Sequence, residues 1–571
     1  MDNQERQSPG GGNVATIDAN LLPSTFSSRL SPVDSSSPDF ALAPQDERAA
    51  LASSQTSLNI SAPASRLPHD VLVTVFSHLV AEELEDHVPV MDNIPCSVPW
   101  VRLAYVCRPW RHAALNSPTL WRYLVLPLPA RWAHTMLTRA QHAPLFISYY
   151  HGDVKNVATT WQPVATLEQV QGIDINHYKG NQANLVQLLS TPAPILEYAR
   201  INVPSLAPGI LPAPLFADHA PRLRDLAVSN THISSWTSSF IHNLAFLQVG
   251  YHLGSLPSVS EFVAVLQQLS RIEVLVLSRG GMNPFSSTTQ PSDASQIARL
   301  PLLRNLNICG SASQCVGFLR HVQPSDSVAL CVDCYEYSGL QEFTALYPFL
   351  APARGFVADR FPFVEMELVY DLHLKLTARR VPAPDDHSPA DRDFSLGWRW
   401  KEPRDEVVDI LRGVCRAMGV HCWLSLAVDL DLDWYPKIPP MALADVFGGA
   451  VELRTLRATG TTALALSRVL PASMDGGAWR HSSEAGGTVL WPKLDYFELR
   501  DLDFHEDVLE GEEGYDKSVG EVLLCELGRR KQRGVPLGTL ALVNCEARRQ
   551  WLQEAGRLVG SVSLTRSRQR D

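Results

Sequence analysis

Apolar residues fall at 71/72, 75/76 and 79/80, a spacing that predicts a helix whose first turn holds Pro68 and Asp70. A first turn tolerates proline and favours negative charge. An acidic, proline-containing stretch, Glu82 to Pro99, interrupts the pattern. Trp100 to Cys107 then reads as a second short amphipathic helix stopped by Pro109, and Trp110 to Leu115 as a third. Pro118-Thr119-Leu120-Trp121 ends this module, which predicts a small bundle of three short helices. From about residue 190 the period changes. Leu223-x-x-Leu226-x-Val228, Leu244-x-x-Leu247-x-Val249, Ile272-x-x-Leu275-x-Leu277 and Leu303-x-x-Leu306-x-Ile308 share one template, with Leu196-x-x-Ala199-x-Ile201 a weaker copy. Leu453-x-x-Leu456-x-Ala458, Leu494-x-x-Phe497-x-Leu499 and Leu537-x-x-Leu540-x-Leu542 repeat it later.

The early copies are 27, 21, 28 and 31 residues apart, and helical stretches such as Val259 to Leu269 and Ser313 to Leu319 lie between them. This is the strand half of a leucine-rich repeat, in which the first residue and the alternating pair point inward. The Asn or Cys expected next along the repeat mostly fails, with Thr231, Gly280 and Ser311 in its place and only Cys545 matching, so the array is degenerate. Between 340 and 450, Phe363 to Leu376 alternates and reads as one long strand. Ala383 to Asp393 reads as a polar loop, Phe394 to Trp400 as a strand, Glu406 to Met418 as a helix and Cys422 to Leu432 as strand-like. These are taken as irregular repeats with insertions. The expected fold class is α/β, a three-helix N-terminal bundle followed by a curved leucine-rich-repeat-like solenoid.

The first module carries a more specific signal. Leu67-Pro68-x-Asp70-Val71-Leu72, Phe76, Leu79, then Val106-Cys107-x-x-Trp110-Arg111 and Leu120-Trp121, resembles an F-box. The resemblance implies a bundle that docks on a Skp-type adaptor and so joins a cullin–RING ubiquitin ligase. It places Leu67, Pro68, Leu72, Phe76, Val106 and Trp110 at or just beneath the docking face. The gap between the first two helices is longer than usual for the family, and Pro109 stands where the family often has a polar residue. The order of F-box, linker, degenerate repeats and a tail like Arg529-Arg530-Lys531-x-x-Gly534 resembles a large set of fungal F-box proteins. The expected domains are a disordered tail over 1–65 and the F-box over 66–125. A linker with the start of the solenoid follows over 126–189, then the repeat domain over 190–563 and a C-terminal tail over 564–571.

Composition narrows the function. The chain has 571 residues, 45% of them apolar, enough for a large core, and the Ser-, Pro- and Gly-rich first 65 residues stand apart from it. No run of apolar residues is long enough to span a bilayer, and the start lacks an apolar secretory region, so no membrane partner is expected. Ten scattered cysteines then read as reduced thiols in the cytoplasm or nucleus. A net charge of −11 argues against nucleic acid as a partner. Cys331-Val332-Asp333-Cys334, with Cys309 and Cys315, lacks the paired spacing of a zinc site. Asp429, Asp431 and Asp433 suggest a calcium loop, but Trp434 and Pro440 occupy its glycine and glutamate positions. His505-Glu506 lacks the second histidine of a zinc protease, and no nucleophile elbow, Walker loop or dinucleotide turn is present. The sequence therefore names no catalytic residue, no metal and no cofactor.

Two functions compete. One is a substrate-recognition adaptor, not an enzyme, whose F-box binds the Skp adaptor and whose repeats hold a protein substrate for ubiquitin transfer by proximity. The other is a repeat scaffold for protein–protein contact with no ligase role. For either, strand parity turns 225, 227 and 229 to the concave face, together with Phe246, Gln248, Asn305, Asn307, Arg457, Tyr496, Glu498 and Arg500, which are expected to be exposed for a partner. Lysine is scarce at 155, 179, 375, 401, 437, 493, 517 and 531, and the first 154 residues contain none.

Overall fold

The computed structural model describes residues 63–86, 103–126, 130–149, 166–176, 182–203, 209–232, 236, 238–250, 258–278, 297–324, 328–334, 340–351, 362–369, 373–379, 394–399, 406–430, 440–470, 473–475, 478–480, 488–504 and 518–565. The N-terminal stretch over 1–62, the polar segment 383–393 and the acidic run 506–513 lie outside them. Two compact units divide the chain, one formed by residues to Ala81 with Pro99–Asn116, the other by Glu82–Val98 with Ser117 onward.

In the first unit, α1 (His69–Asp86) has the expected 3.6-residue pattern, and the Pro68 carbonyl accepts the first amide bond, from Leu72. The helix runs on into the acidic stretch read as an interruption, because Glu82 to Asp86 contains no proline or glycine to stop it. In place of a second α-helix, the described part of 100–107 is a 3-10 turn at Leu103–Tyr105. Pro109 does not end a helix but sits in the first turn of α2 (Arg108–Leu115), where a missing N–H costs nothing. Ala113 and Ala114 on α2 are buried.

The second unit is built on a 17-stranded sheet among the described residues. Strands β1 (Tyr123–Leu126), β2 (Leu145–Tyr149), β3 (Val170–Asn176), β4 (Tyr198–Asn202), β5 (Asp225–Ser229), β6 (Phe246–Gly250), β7 (Val274–Leu277), β8 (Asn305–Gly310) and β9 (Ala329–Cys334) pair parallel in chain order. β10 (Phe363–Val369), β11 (His373–Arg379) and β12 (Phe394–Arg399) then form an antiparallel meander inserted in reverse, with β12 parallel to β9 and β10 parallel to β13 (Ser425–Asp429). Parallel order resumes through β14 (Thr455–Thr459), β15 (Tyr496–Arg500), β16 (Thr539–Val543) and β17 (Ser561–Thr565). The stretch from Phe363 to Leu376 is thus two strands, not one. The hairpin pairs Val364 with Ala378, Met366 with Leu376 and Leu368 with Leu374, so even-numbered residues meet even-numbered residues. Alternation passes through such a turn unbroken, and periodicity alone cannot find it.

Every template position lies in the core. The first residue and the alternating pair of all eight copies, from Leu196, Ala199 and Ile201 to Leu537, Leu540 and Leu542, are at most 2% exposed. In seven of the eight copies, all but that of Leu537, a further buried residue lies three before the leading position, as at Ala193, Ala220, Leu269, Ala450 and Trp491, and its carbonyl accepts the leading residue's N–H in a tight turn. Two more copies begin with tryptophan: Trp121, Leu124 and Leu126 on β1, and Trp423, Leu426 and Val428 on β13. Helices cover the buried face of the strands. α3 (Ala130–Ala140) and α4 (Gln182–Leu189) precede α5 (Val259–Gln268) and α6 (Ala312–Leu319). From α6 the helices touch in succession: α7 (Leu340–Thr344), then past α8 (Tyr347–Leu350) to α9 (Glu406–Ala417), α10 (Pro440–Phe447), α11 (Gly460–Val469), α12 (Val519–Gln532) and α13 (Arg549–Leu558). Serine capping boxes start α5, α6 and α12, with Glu261, Gln314 and Glu521 reaching back to the cap amide.

Candidate functional site

Two surfaces hold the residues singled out by sequence. On α1 a one-residue offset, 100° around the helix, separates core from surface. Leu72, Phe76 and Val80 are buried, and Phe76 packs against Trp110 of α2 with ring centroids 5.1 Å apart. Leu67, Val71, Val75 and Leu79 form an exposed apolar stripe, each 38–40% accessible. Of the expected docking residues, Leu67, Pro68 and Val106 are exposed, Trp110 is half-buried, and Leu72 and Phe76 form the layer beneath. Val71 and Leu79, which the motif contains, and Val75, which it does not, are outward positions left out of the expected docking face, and their four-residue recurrence with Leu67 was the available signal. Tyr105, 72% exposed, adds an aromatic ring, with the Arg111 guanidinium 6.0 Å from its centre.

The outward face of the sheet carries the second set, in two groups. Phe246 and Gln248 on β6 and Asn305 and Asn307 on β8 align through Val274 and Val276 of β7. Arg457 on β14 and Tyr496, Glu498 and Arg500 on β15 are adjacent, with Arg457 opposite Glu498. Strands β9 to β13 stand between, so the groups are six strand steps, roughly 30 Å along the sheet, apart. Asn305, Asn307, Arg457 and Arg500 are exposed, and Phe246, Gln248 and Tyr496 are half-buried.

Two positions expected to be exposed are buried: Ala227, at 4%, and Glu498. The Glu498 side chain is on the expected face, yet the residue is only 5% exposed because its neighbours close over it. The Tyr496 hydroxyl donates to Oε2 at 2.6 Å and Arg500 Nε to Oε1 at 2.5 Å, while Arg457 Nε lies 3.7 Å from Oε2. Burial alone would raise the Glu498 carboxyl pKa; these three partners outweigh it and hold the carboxyl below its ordinary value. Burial, then the bond to Glu498, pushes the Tyr496 phenol up to about 12. The cluster is a fixed carboxylate that orients two half-exposed arginines.

Sequence reasoning missed two further features of this face. Asn202 Nδ2 donates to Asn176 Oδ1 at 2.9 Å and Asn230 Nδ2 to Asn202 Oδ1 at 2.8 Å, a side-chain ladder across neighbouring strand ends. Arg122 lies over the stacked rings of Tyr123 and Phe146. Cys331 and Cys334 are three apart on β9, so they face opposite sides of the sheet, with Cys334 buried and Cys331 only partly so. Among the described residues no group of three or more His, Cys, Asp or Glu could hold a metal ion, and no helix is long and apolar enough to cross a membrane.

The F-box-like family matches residues 64–127, which cover α1, α2 and β1. Residues 64–127 are an F-box-like domain, and such a domain suggests, in general, a role as a Skp-binding ubiquitin-ligase adaptor. No curated protein matches the chain.

Proposed function

We propose that the chain is the substrate-holding subunit of a Skp–cullin–F-box type ubiquitin ligase. The observation that carries the reading is the coincidence of the F-box-like match with an apolar stripe, Leu67, Val71, Val75 and Leu79, exposed beside a filled core of Leu72, Phe76 and Val80. Exposed apolar residues in one contiguous row suit the centre of a protein interface. The strand-and-helix units that follow it in the chain are read as degenerate leucine-rich repeats that present their outward strand face to a protein substrate. The uniform burial of the template positions and the parallel strand order support that reading. The chain itself would perform no bond-making step; it would raise the effective concentration of a substrate amine near the charged conjugating enzyme.

The test is co-purification with a Skp-type adaptor. Leu67→Ala with Pro68→Ala, and separately Val75→Glu with Leu79→Glu, are expected to abolish capture while thermal unfolding of the sheet unit is unchanged. Truncating interface anchors typically costs about 2 kcal/mol or more, roughly thirtyfold in affinity. Undiminished capture by both variants refutes the docking face. Arg457→Glu with Arg500→Glu is expected to leave adaptor capture intact and to reduce ubiquitination of whatever substrate proximity labelling recovers.

A further inference from the structure

The edge of the sheet where its strands begin carries a row of polar side chains, one from the residue after each leading template position: Glu197, Arg224, Ala245, Glu273 and Arg304. The backbone places them in register, since Arg224 N–H donates to the Glu197 carbonyl, Ala245 to Arg224 and Glu273 to Ala245, at 2.7–2.9 Å. Within the row, Glu197 Oε2 accepts from Gln171 at 3.1 Å, and Glu273 lies 3.8 Å from Arg304. The alanine at 245 breaks this sequence of long chains, and Glu197 and Arg224 of the row, with Pro221, Arg222, Asn243 and Arg271, line a cavity of about 310 Å³. The volume is at the low end for a small-ligand site. Its lining is polar and cationic. Asn243 is held by a 3.2 Å bond to the Pro221 carbonyl, Arg224 shares its field with Asp225, and among the described residues neither Arg222 nor Arg271 has a side-chain partner. Three guanidinium groups against one carboxylate, itself already engaged by Gln171, leave the lining with a formal excess of two positive charges.

We propose that this cavity is a binding site for a dianionic phosphoryl group. Guanidinium forks match phosphate oxygens in pairs, and three exposed arginines lining one cavity favour a compact dianion over a carboxylate. The ligand could be free phosphate or a phosphate monoester; both present the same group. The site is separate from the adaptor stripe and from the Arg457–Arg500 cluster, and its failure would leave the adaptor reading standing.

The experiment is calorimetric titration of the full chain with inorganic phosphate, O-phospho-L-serine and L-serine. Saturable binding of phosphate is expected at pH 7.5, with none of serine. Binding should weaken toward pH 5.5, where a phosphomonoester, with a second pKa of about 6, and inorganic phosphate, which titrates higher still, are both largely monoanionic while the arginines stay charged. Arg222→Ala with Arg271→Ala should weaken it tenfold or more, on the scale of lost charge-assisted contacts. Asn243→Glu should do the same by putting a carboxylate in the cavity lining, which covers the case of a double variant that fails to fold. Comparable binding of phosphoserine supports a monoester as occupant, and phosphate binding alone supports the free ion. Absence of saturable phosphate binding, or retention within twofold in the folded variants, overturns the proposal.

Discussion

Replacement of Arg530 by alanine is expected to loosen the turn at Leu490 that leads into β15, forty residues upstream in the chain. Arg530 lies on α12 and is 1% exposed. Its Nη1 donates to the Leu490 carbonyl at 2.8 Å and its Nη2 to the Trp491 carbonyl at 3.0 Å, so one helix caps the turn that opens the preceding unit's strand. Burial pushes the guanidinium pKa down to about 10, which leaves it charged at neutral pH. In Arg530→Ala the Leu490 carbonyl loses this donor, worth about 1–3 kcal/mol for a buried group. Trp491 suffers less, because its carbonyl also accepts the Leu494 N–H at 3.1 Å. The lost stem removes about 0.8 kcal/mol per methylene. Against these stands the relief of no longer burying a cation, so the net loss is expected near 3 kcal/mol, within the range for breaking buried charged contacts. The assay is hydrogen exchange of the amides over 491–500, where that loss reads as a roughly hundredfold fall in protection. Arg530→Met keeps the stem and should fall between wild type and alanine. Exchange within threefold of wild type for the alanine variant, or a methionine variant more stable than wild type, would refute the capping argument.

Acid should weaken the Glu498 cluster. A carboxyl held below its ordinary value contributes stability above that value and loses it as pH falls through the lowered one, so wild type should lose more stability than Glu498→Gln between roughly pH 5 and pH 3, by urea melts at each pH; parallel losses would exclude the mechanism. At Gly560 an added Cβ would sit 2.6 Å from the Gly538 backbone oxygen, at the approach of β16 to β17. Gly560→Ala should cost about 1–3 kcal/mol, seen as a lower thermal midpoint, and an unchanged midpoint would disprove the close approach. The first 154 residues lack lysine, and arginine stays protonated and is no acyl acceptor, so diglycine remnants on side chains after self-ubiquitination should map to Lys155 or beyond. A reproducible remnant on a side chain within 1–154 would contradict this.

The sequence showed the inward half of the sheet more clearly than the outward half. Burial fixes one face of a period-two element, so Leu223, Leu226 and Val228 announce themselves by type and spacing. Trp121 and Trp423 fill the same leading position, but a template written in aliphatic letters passes over them, although a tryptophan satisfies the same packing demand. The reversed meander β10–β12 was invisible for a different reason: its hairpin preserves parity, so no residue changes face at the turn. On α1 the expected docking face took Leu72 and Phe76, yet the residues left for a partner are Val71 and Val75 beside them. A helix offers its core row and its surface row one residue apart, and residue type alone does not distinguish them when both are apolar.

The outward face obeys no such constraint, and that is why its departures carry information. Arg457, Glu498 and Arg500 share parity with Asn305 and Asn307, but a carboxylate between two guanidiniums and a phenol draws its neighbours over itself and becomes 5% exposed. Exposure there is set by charge pairing across adjacent strands, a property of register that a single strand does not contain. The same holds beside Leu223, where Arg222 and Arg224 share a cavity lining with Arg271, which precedes the strand two units on. In a ladder whose inward rows are fixed by packing, a site arises where an outward row changes between neighbouring strands, and locating it requires the pairing as well as the pattern.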